Sequence, residues 1–408
     1  MSHPVVIVGA AMAGLRTAES LRKSGYSGAI TIIGNEVHAP YNRPPLSKDV
    51  LSSGVTHEAV AFPQRAATID VTWMLGTHVS ASNLLEQTVT TEAGVTLDYS
   101  VLVVATGLRS ARIPGTPRRG QHAVRSLDDA MNLRAELVPG ARVVVLGSGF
   151  LGCEIAATAT KLGCEVTVVS ASDLPIVRTL GRELAAEVLV RHHAHGVQFR
   201  LNSGLRDVIG AEHVTGVSLR DGEVLPADVL IEAIGSRCNV EWLEVNGLDL
   251  SDGVLADSAL RAVSSEGIPF DNVFVVGDIA RFPNSLFGGV SRRVEHWNIP
   301  TETGKRAGAV IAARLSDAHA YETLCAVDFA PMPAFWSDQF EMSLQGYGMP
   351  GIADEIRVLE GDLTSEAIVG YFASGRLVGV VGLGVKAALM PYRKVIAEGG
   401  VMDNAGPR

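Results

Sequence analysis

Cysteine is scarce. Cys153, Cys164, Cys238 and Cys325 are the four in 408 residues, with neither C-x-x-C nor C-x4-C spacing, which excludes a redox-active disulfide and an iron–sulfur site. Positive charge is in deficit, with 34 Lys and Arg against 44 Asp and Glu for a net charge of −10, so nucleic acid and anionic membrane surfaces are not expected partners. No apolar run is long enough to span a bilayer. Val143 to Thr160 comes nearest, and Gly147, Gly149, Gly152 and Glu154 break it, so it reads as strand, turn and helix. The N-terminal stretch Met1 to Ala13 carries no basic flank, and a cytoplasmic protein is expected. Nucleophile-elbow, Walker and zinc signatures are missing. No metal site is expected, because His192, His193 and His195 have no cysteine or carboxylate spaced with them and precede Gly196, a pattern that predicts a solvated helix end.

What is present suits an α/β enzyme. The length allows two or three domains. Apolar residues make up 47% and there are 43 glycines, as in nucleotide-binding proteins rich in tight turns. Val5 to Val8 reads as a buried parallel strand, followed by Gly9-Ala10-Ala11-Met12-Ala13-Gly14 and a helical stretch. That is a βα turn for a pyrophosphate, in which glycines permit the tight turn and free amides at the helix start hold the charge. The next strand, Ile30 to Ile33, ends at Gly34-Asn35-Glu36, about 20 residues on, where a ribose hydroxyl needs an acceptor; a solvated turn is the alternative. Arg142 to Leu146 is a second such strand, and Gly147-Ser148-Gly149-Phe150-Leu151-Gly152 after it is a complete G-x-G-x-x-G opening a helix. Two loops 138 residues apart argue for two nucleotides. The strand after the second, Glu165 to Val169, ends in Ser170 where an acidic residue would read a 2′-hydroxyl, which leaves NADH against NADPH open.

A second repeat follows the first at an offset of 128 residues: Gly94 to Leu97 leading into Val101 to Gly107, and Gly222 to Leu225 leading into Val229 to Gly235. Each predicts a β-meander feeding a buried strand that returns to its own sheet. Val273 to Val276 is a further apolar strand ending in Gly277-Asp278. If it joins the first sheet, the second nucleotide domain is inserted into the first. From about Ala320 onward, with hairpin-like runs around Ser374-Gly375, an α+β cap is expected.

Six segments in order, Arg43-Pro44-Pro45-Leu46-Ser47-Lys48, Ala105-Thr106-Gly107, the second glycine loop with Glu154, Gly277-Asp278, Glu295-His296-Trp297 and Phe335-Trp336-Ser337-Asp338-Gln339, resemble the FAD-dependent ferredoxin reductases, both putidaredoxin-reductase-like and aromatic-dioxygenase-reductase-like. The resemblance runs nearly end to end. It implies an α/β, glutathione-reductase-type fold: an FAD domain at 1–108 and 239–319, an NAD(P)H domain at 109–238 and a C-terminal α+β interface domain at 320–408. It also implies Lys48 near flavin N5 paired with Glu154, Trp336 where electrons leave, Asp278 on the FAD ribitol, Arg43 on FAD, and Trp297 by the pyrimidine end of the ring. Gly9, Ala11, Met12, Ala13, Gly14, Asn35, Glu36, Ala105, Thr106, Gly107, Gly277, Glu295 and His296 would complete the FAD site. Gly147, Gly149, Phe150, Leu151, Gly152, Ser170, Arg178, Ala233 and Gly235 would line that of NAD(P)H. A ferredoxin that serves a cytochrome P450 or a ring-hydroxylating oxygenase is the implied acceptor, and Arg292, Arg293, Lys305 and Arg306 are its candidate dock.

The chain departs from the family pattern at four places. Ala11 replaces the glycine of close phosphate approach, Ser170 a glutamate, Ala334 the first tryptophan of a Pro-Trp-Phe-Trp pattern and Ala233 a glycine near the nicotinamide. Other readings of the same residues are electron supply to rubredoxin or nitrite reductase, an NADH-binding flavoprotein of the apoptosis-inducing-factor type, and a membrane quinone reductase, for which Tyr392 to Arg408 makes a poor anchor.

Overall fold

The computed structural model describes residues 4–115 and 118–402, and the chain folds as two compact units. The first comprises residues up to Asn42, Ala61–Arg109 and Cys238–Pro333; the second comprises Arg43–Val60, Ser110–Arg237 and the chain from Ala334 on. No helix among the described residues is long and apolar enough to cross a membrane.

In the first unit the strand Val5–Val8 lies between Ile30–Ile33 and Val101–Val104, parallel to both. Thr72–Met74 extends one edge in parallel. On the other side Pro269–Val275 pairs in parallel with Val101–Val104, and Arg261–Val263 closes that edge antiparallel. The central strands are almost wholly apolar and β-branched because both faces are covered: Val5, Ile7 and Val101 to Val104 have no exposed surface. The strand from Val273 thus joins the first sheet, as expected, and the second glycine-loop fold is inserted between its strands. The meander is Val79–Asn83, Thr88–Thr91 and Thr96–Asp98. Helix Ile299–Ser316 packs on helix Met12–Lys23 at contact distance, since a Cβ on Gly304 would lie 2.9 Å from the Ala13 carbonyl and one on Gly308 2.5 Å from Ser20 Cβ.

The second unit repeats the plan. Gln198–Arg200, Glu165–Val169, Arg142–Leu146, Val229–Glu232 and Gln121–His122 form a five-stranded all-parallel sheet in that order. Its meander is Leu205–Ile209, Gly216–Leu219 and Val224–Pro226. The same unit carries an antiparallel sheet in the order Ala334–Gln339, Met342–Gly348, Arg376–Leu383, Ala367–Ala373, Glu355–Gly361. The hairpin at Ser374-Gly375 turns in two residues, both left-handed (φ 51° and 75°), which matches the twist of its strands. Leu344, Val369, Tyr371, Val381 and Leu383 of this sheet share a core with Cys153, Leu180, Leu184 and Val188. The Tyr371 hydroxyl donates to the Leu180 carbonyl at 2.8 Å. Helix Ala318–Ala326 stays with the first unit, and the C-terminal sheet begins at Ala334.

Candidate functional site

In the first unit Gly9 has φ 125°, and a Cβ there would sit 2.0 Å from the Ala105 carbonyl oxygen. One on Gly14 would sit 2.1 Å from the Gly9 carbonyl. These two glycines bring the loop, the Ala105-Thr106-Gly107 strand end and the helix start together. Ala11 is the extended N-cap of helix Met12–Lys23 and no side chain caps that end, so the first amides are available to an anion. Met12 and Ala13 are buried. Thr106 and Asn239 lock reciprocally, Thr106 Oγ1 donating to the Asn239 carbonyl and Asn239 Nδ2 to the Thr106 carbonyl, at 2.8 and 2.9 Å. Gly277, left-handed, donates its amide to Thr303 Oγ1 at 2.9 Å, and this places half-buried Asp278 at the strand end. Asn35 is exposed, and half-buried Glu36 accepts from the Tyr41 hydroxyl.

The second unit separates two kinds of glycine. A Cβ on Gly147 (φ 100°) would meet the Ala233 carbonyl at 2.2 Å, and one on Gly152 the Gly147 carbonyl at 2.1 Å, so the protein itself demands both. Gly149 has an extended backbone, caps helix Phe150–Lys161 without a side chain and faces open space. Nothing in the protein requires that glycine, whereas a ligand's phosphate approaching the amides would. Leu151 is exposed and Gly235 has open space around it. Both loops therefore have the donor set and the cradle that a dinucleotide diphosphate needs. Ser170 turns inward: its hydroxyl lies 2.7 Å from Ser148 Oγ and accepts from the Ser172 amide, and only 5% of the residue is exposed. Arg178 is exposed at the start of helix Val177–Ala194.

A buried polar cluster in this unit surrounds Glu154. Arg43-Pro44-Pro45 leads into a 3₁₀ turn, Pro44–Ser47, as the rigid ring torsions favour. Arg43 Nη1 donates to the Arg125 carbonyl and Thr158 Oγ1 to the Ser47 carbonyl, which ties the turn to its neighbours. Lys48 Nζ and Ser47 Oγ both donate to Glu154 Oε2 at 2.6 Å, and Ser337 Oγ donates to Oε1 at 2.6 Å. The side chains of Lys48 and Glu154 are 19% and 8% exposed. A carboxylate with three donors, one of them cationic, lets an ammonium stay buried without leaving a charge uncompensated. Ser337 is held in turn by Gln339 Nε2 at 3.0 Å, and Gln339 Oε1 lies 2.8 Å from His192 Nε2. The strand Ala334–Gln339 alternates, with Ser337 and Gln339 fully buried and Trp336 and Asp338 exposed. Phe335 packs on Phe150 with centroids 5.3 Å apart.

Ser47, Ser337, Gln339 and His192 are functional candidates that the sequence reading passed over. Three of the four lie inside motifs already singled out. The sequence offered no clear signal, since Ser337-Asp338-Gln339 is an unbroken polar run and only the burial pattern of the strand separates Ser337 and Gln339 from Asp338. His192 is a correction: it is buried, not solvated, because the C-terminal sheet covers that end of the helix, whereas His193 is exposed. No group of residues that could hold a metal ion occurs among the described residues. Burial pushes the Cys153 thiol well up, which disfavours a thiolate beside Glu154, and the four cysteines are free.

In the first unit Trp297 is 40% exposed, its Nε1 donating to Asn42 Oδ1 at 2.9 Å, and burial pulls the His296 ring down to about 4. Arg293 binds Asp252 at 2.7 Å and exposed Glu295 at 2.9 Å. Arg306 donates to the carbonyls of Leu324 and Val327. Lys305 pairs with Glu302 on its own helix, and Arg292 donates to the Phe287 carbonyl. Much of the expected basic patch is thus engaged inside the unit.

Residues 3–304 match the family described as pyridine nucleotide-disulphide oxidoreductase, and residues 334–406 match the reductase C-terminal family. The chain is 32% identical to rhodocoxin reductase of Rhodococcus erythropolis over 96% of its own length and 89% of that protein. It is 35% identical to the anthranilate 1,2-dioxygenase system ferredoxin–NAD(+) reductase component of Burkholderia cepacia, over 98% and 96%. Among solved structures, the covalent putidaredoxin reductase–putidaredoxin complex superposes with a TM-score of 0.88 at 29% identity, covering 97% of this chain and 93% of that one.

Proposed function

The chain belongs to the pyridine nucleotide-disulphide oxidoreductase family, and from that membership we propose that it is an FAD-dependent reductase passing electrons from NADH or NADPH to an iron–sulfur ferredoxin that serves an oxygenase. The observation that carries this reading is the continuity of the likeness: it runs through both nucleotide folds and on through the C-terminal sheet, over 97% of the chain, to a reductase solved in complex with putidaredoxin. The flavin, when bound, supplies the redox chemistry, taking electrons in pairs from a nicotinamide and releasing them singly.

The protein's own part is geometry and charge. Gly9 and the open helix start at Ala11, with Asp278, would hold FAD; Gly147, Gly149 and the start of helix Phe150–Lys161 would hold the nicotinamide dinucleotide. Lys48 would favour negative charge on the reduced ring, and Glu154 keeps that ammonium compensated. Trp336, 37% exposed, takes the electron-exit role that the resemblance gives it. The domain division at 1–108 with 239–319, 109–238 and 320–408 and a cytoplasmic location belong to the same proposal. So does ferredoxin docking, for which Lys305, its side chain 60% exposed, is a better candidate than Arg292, Arg293 and Arg306, which are engaged inside the unit. Charge reversal by Lys305→Glu is expected to raise the KM for ferredoxin and weaken its salt dependence, and an unchanged KM removes this residue from the dock.

The deciding experiment is cytochrome c reduction by the FAD-loaded protein with NADH and with NADPH, alone and with added ferredoxin or rubredoxin. Strong stimulation by a ferredoxin is expected, and the ratio of nucleotides settles selectivity. No stimulation across several ferredoxins, together with a long-lived charge-transfer band, would refute the electron-supply reading.

A further inference from the structure

The Glu154 cluster does not end at Ser337. From the carboxylate, Ser337 Oγ, Gln339 Nε2, Gln339 Oε1 and His192 Nε2 follow one another at 2.6, 3.0 and 2.8 Å, and Ser337, Gln339 and His192 are all fully buried. Such a chain has two possible directions, since a serine hydroxyl, a glutamine amide and a neutral imidazole can each be reversed. The carboxylate end decides between them, because a carboxylate only accepts and the Ser337 hydroxyl must donate to it. His192 Nδ1 has no partner among the described residues, and the ring lies edge-on between Phe199 and Phe340, at 5.7 and 5.2 Å. With the chain so directed, the ring nitrogen left without a partner is the bare one. The proton therefore sits on Nε2 and is donated to Gln339 Oε1. The Gln339 amide N–H is directed at Ser337 Oγ, and the Ser337 hydroxyl proton goes to Glu154.

We propose that Ser337, Gln339 and His192 are positioning residues whose hydrogen bonds, polarised from the imidazole inward, hold Glu154 on Lys48. This rests on the function proposed above, in which Lys48 supports the flavin's charge. Reversal of the chain would remove a charge-assisted hydrogen bond from Glu154 Oε1 and strand a buried N–H at His192, two penalties for one flip. Burial also pulls the His192 ring below its ordinary value, which keeps the single-proton form in place. The alternation of the strand Ala334–Gln339 puts this support on the face opposite Trp336. One short strand thereby serves Glu154 inward and the exposed tryptophan outward.

Two measurements test it. In protein labelled with ¹⁵N-histidine, both free of flavin and loaded, the resonances lost in His192→Phe are expected to show a protonated Nε2 and a bare Nδ1; the opposite tautomer overturns the proposal. In stopped-flow reduction of the FAD-loaded protein, Gln339→Leu is expected to slow the saturating rate roughly threefold to tenfold with the nucleotide KM unchanged, the scale of losing the one neutral hydrogen bond that orients Ser337. Gln339→Glu, which keeps the side chain's size but competes for the Ser337 proton, is expected to do the same and replaces Gln339→Leu if that variant does not fold. In a Glu154→Gln background either substitution is expected to change the rate less than about twofold. A full effect in that background, or none in the wild-type background, overturns the role of the chain. A wild-type protein that neither nucleotide reduces overturns the functional reading itself.

Discussion

Lys48 and Glu154 form one ion pair, yet removing either partner should not cost the same. At 2.6 Å and an effective dielectric of about 20, the two charges attract by about 6 kcal/mol before the desolvation of both is subtracted. Glu154→Gln keeps the shape but leaves Lys48 Nζ, whose side chain is 19% exposed, without its anion and, with the amide oxygen kept toward Lys48 and Ser47, turns an amide N–H toward the Ser337 hydroxyl. Deleting one partner of a buried pair costs about 3–5 kcal/mol, and the partial exposure of Lys48 argues for the lower end, about 3 kcal/mol. Lys48→Met removes the cation instead. Glu154 then keeps two hydroxyl donors, Ser47 and Ser337, each at 2.6 Å, and a loss of only about 1–2 kcal/mol is expected. Urea unfolding at fixed FAD concentration, with stability read from the midpoint and slope, compares the two. Lys48→Met as costly as Glu154→Gln, or costlier, would refute the argument that the serine hydroxyls support the carboxylate independently of the lysine.

Gly149→Ala adds a methyl group to open space at an extended backbone position, so stability is expected to change by less than about 0.5 kcal/mol while the KM for the nucleotide rises; Gly147→Ala, blocked by the Ala233 carbonyl at 2.2 Å, is expected to fail in the unfolding assay instead. Ser170→Glu would place a carboxylate where 5% of the residue is exposed and break the bond to Ser148. A loss of at least about 2 kcal/mol is expected in place of a clean switch to NADH, and a wild-type-like melting curve with a changed NADH to NADPH ratio would show that the position faces the ribose. His296 titrates near 4 in the folded chain against an ordinary 6.5. Between those values the unfolded chain binds a proton that the folded chain does not, so stability present above pH 6.5 is lost on acidification toward 4, by roughly 3 kcal/mol in all. His296→Asn should flatten the difference between urea midpoints at pH 7.5 and 5, and an unchanged difference would assign the acid sensitivity to other groups.

Much of this architecture is legible in the chain because it is written locally. Val5–Val8, Ile30–Ile33, Arg142–Leu146 and Glu165–Val169 end where their apolar runs do, the last two beginning one exposed charged residue before them, since a strand buried on both faces admits little else. The two meanders follow from the repeat, and the pairing of Pro269–Val275 with Val101–Val104 decides that the Val273 strand returns to the first sheet. The glycine loops show themselves by residue type alone, because φ above zero and carbonyl contacts near 2 Å exclude every side chain.

Other features depended on which distant segments meet. Ser170 occupies a strand end where spacing points to the ribose, but the neighbouring Ser148 offers a buried hydroxyl partner and the side chain turns to it. The basic residues near 300 read as a patch until Asp252 and the carbonyls of Leu324 and Val327 claim two of them. His192 looks like a frayed helix end, and only the C-terminal sheet, 147 residues downstream at Gln339, makes it the terminus of a polar chain. Backbone conformation and burial pattern are set by near neighbours and by periodicity, and so the sequence alone determined the elements and the two glycine loops. Hydrogen-bond partners of buried polar side chains are set by whatever the fold brings within 3 Å, and so the tertiary structure alone decided how Glu154 is held.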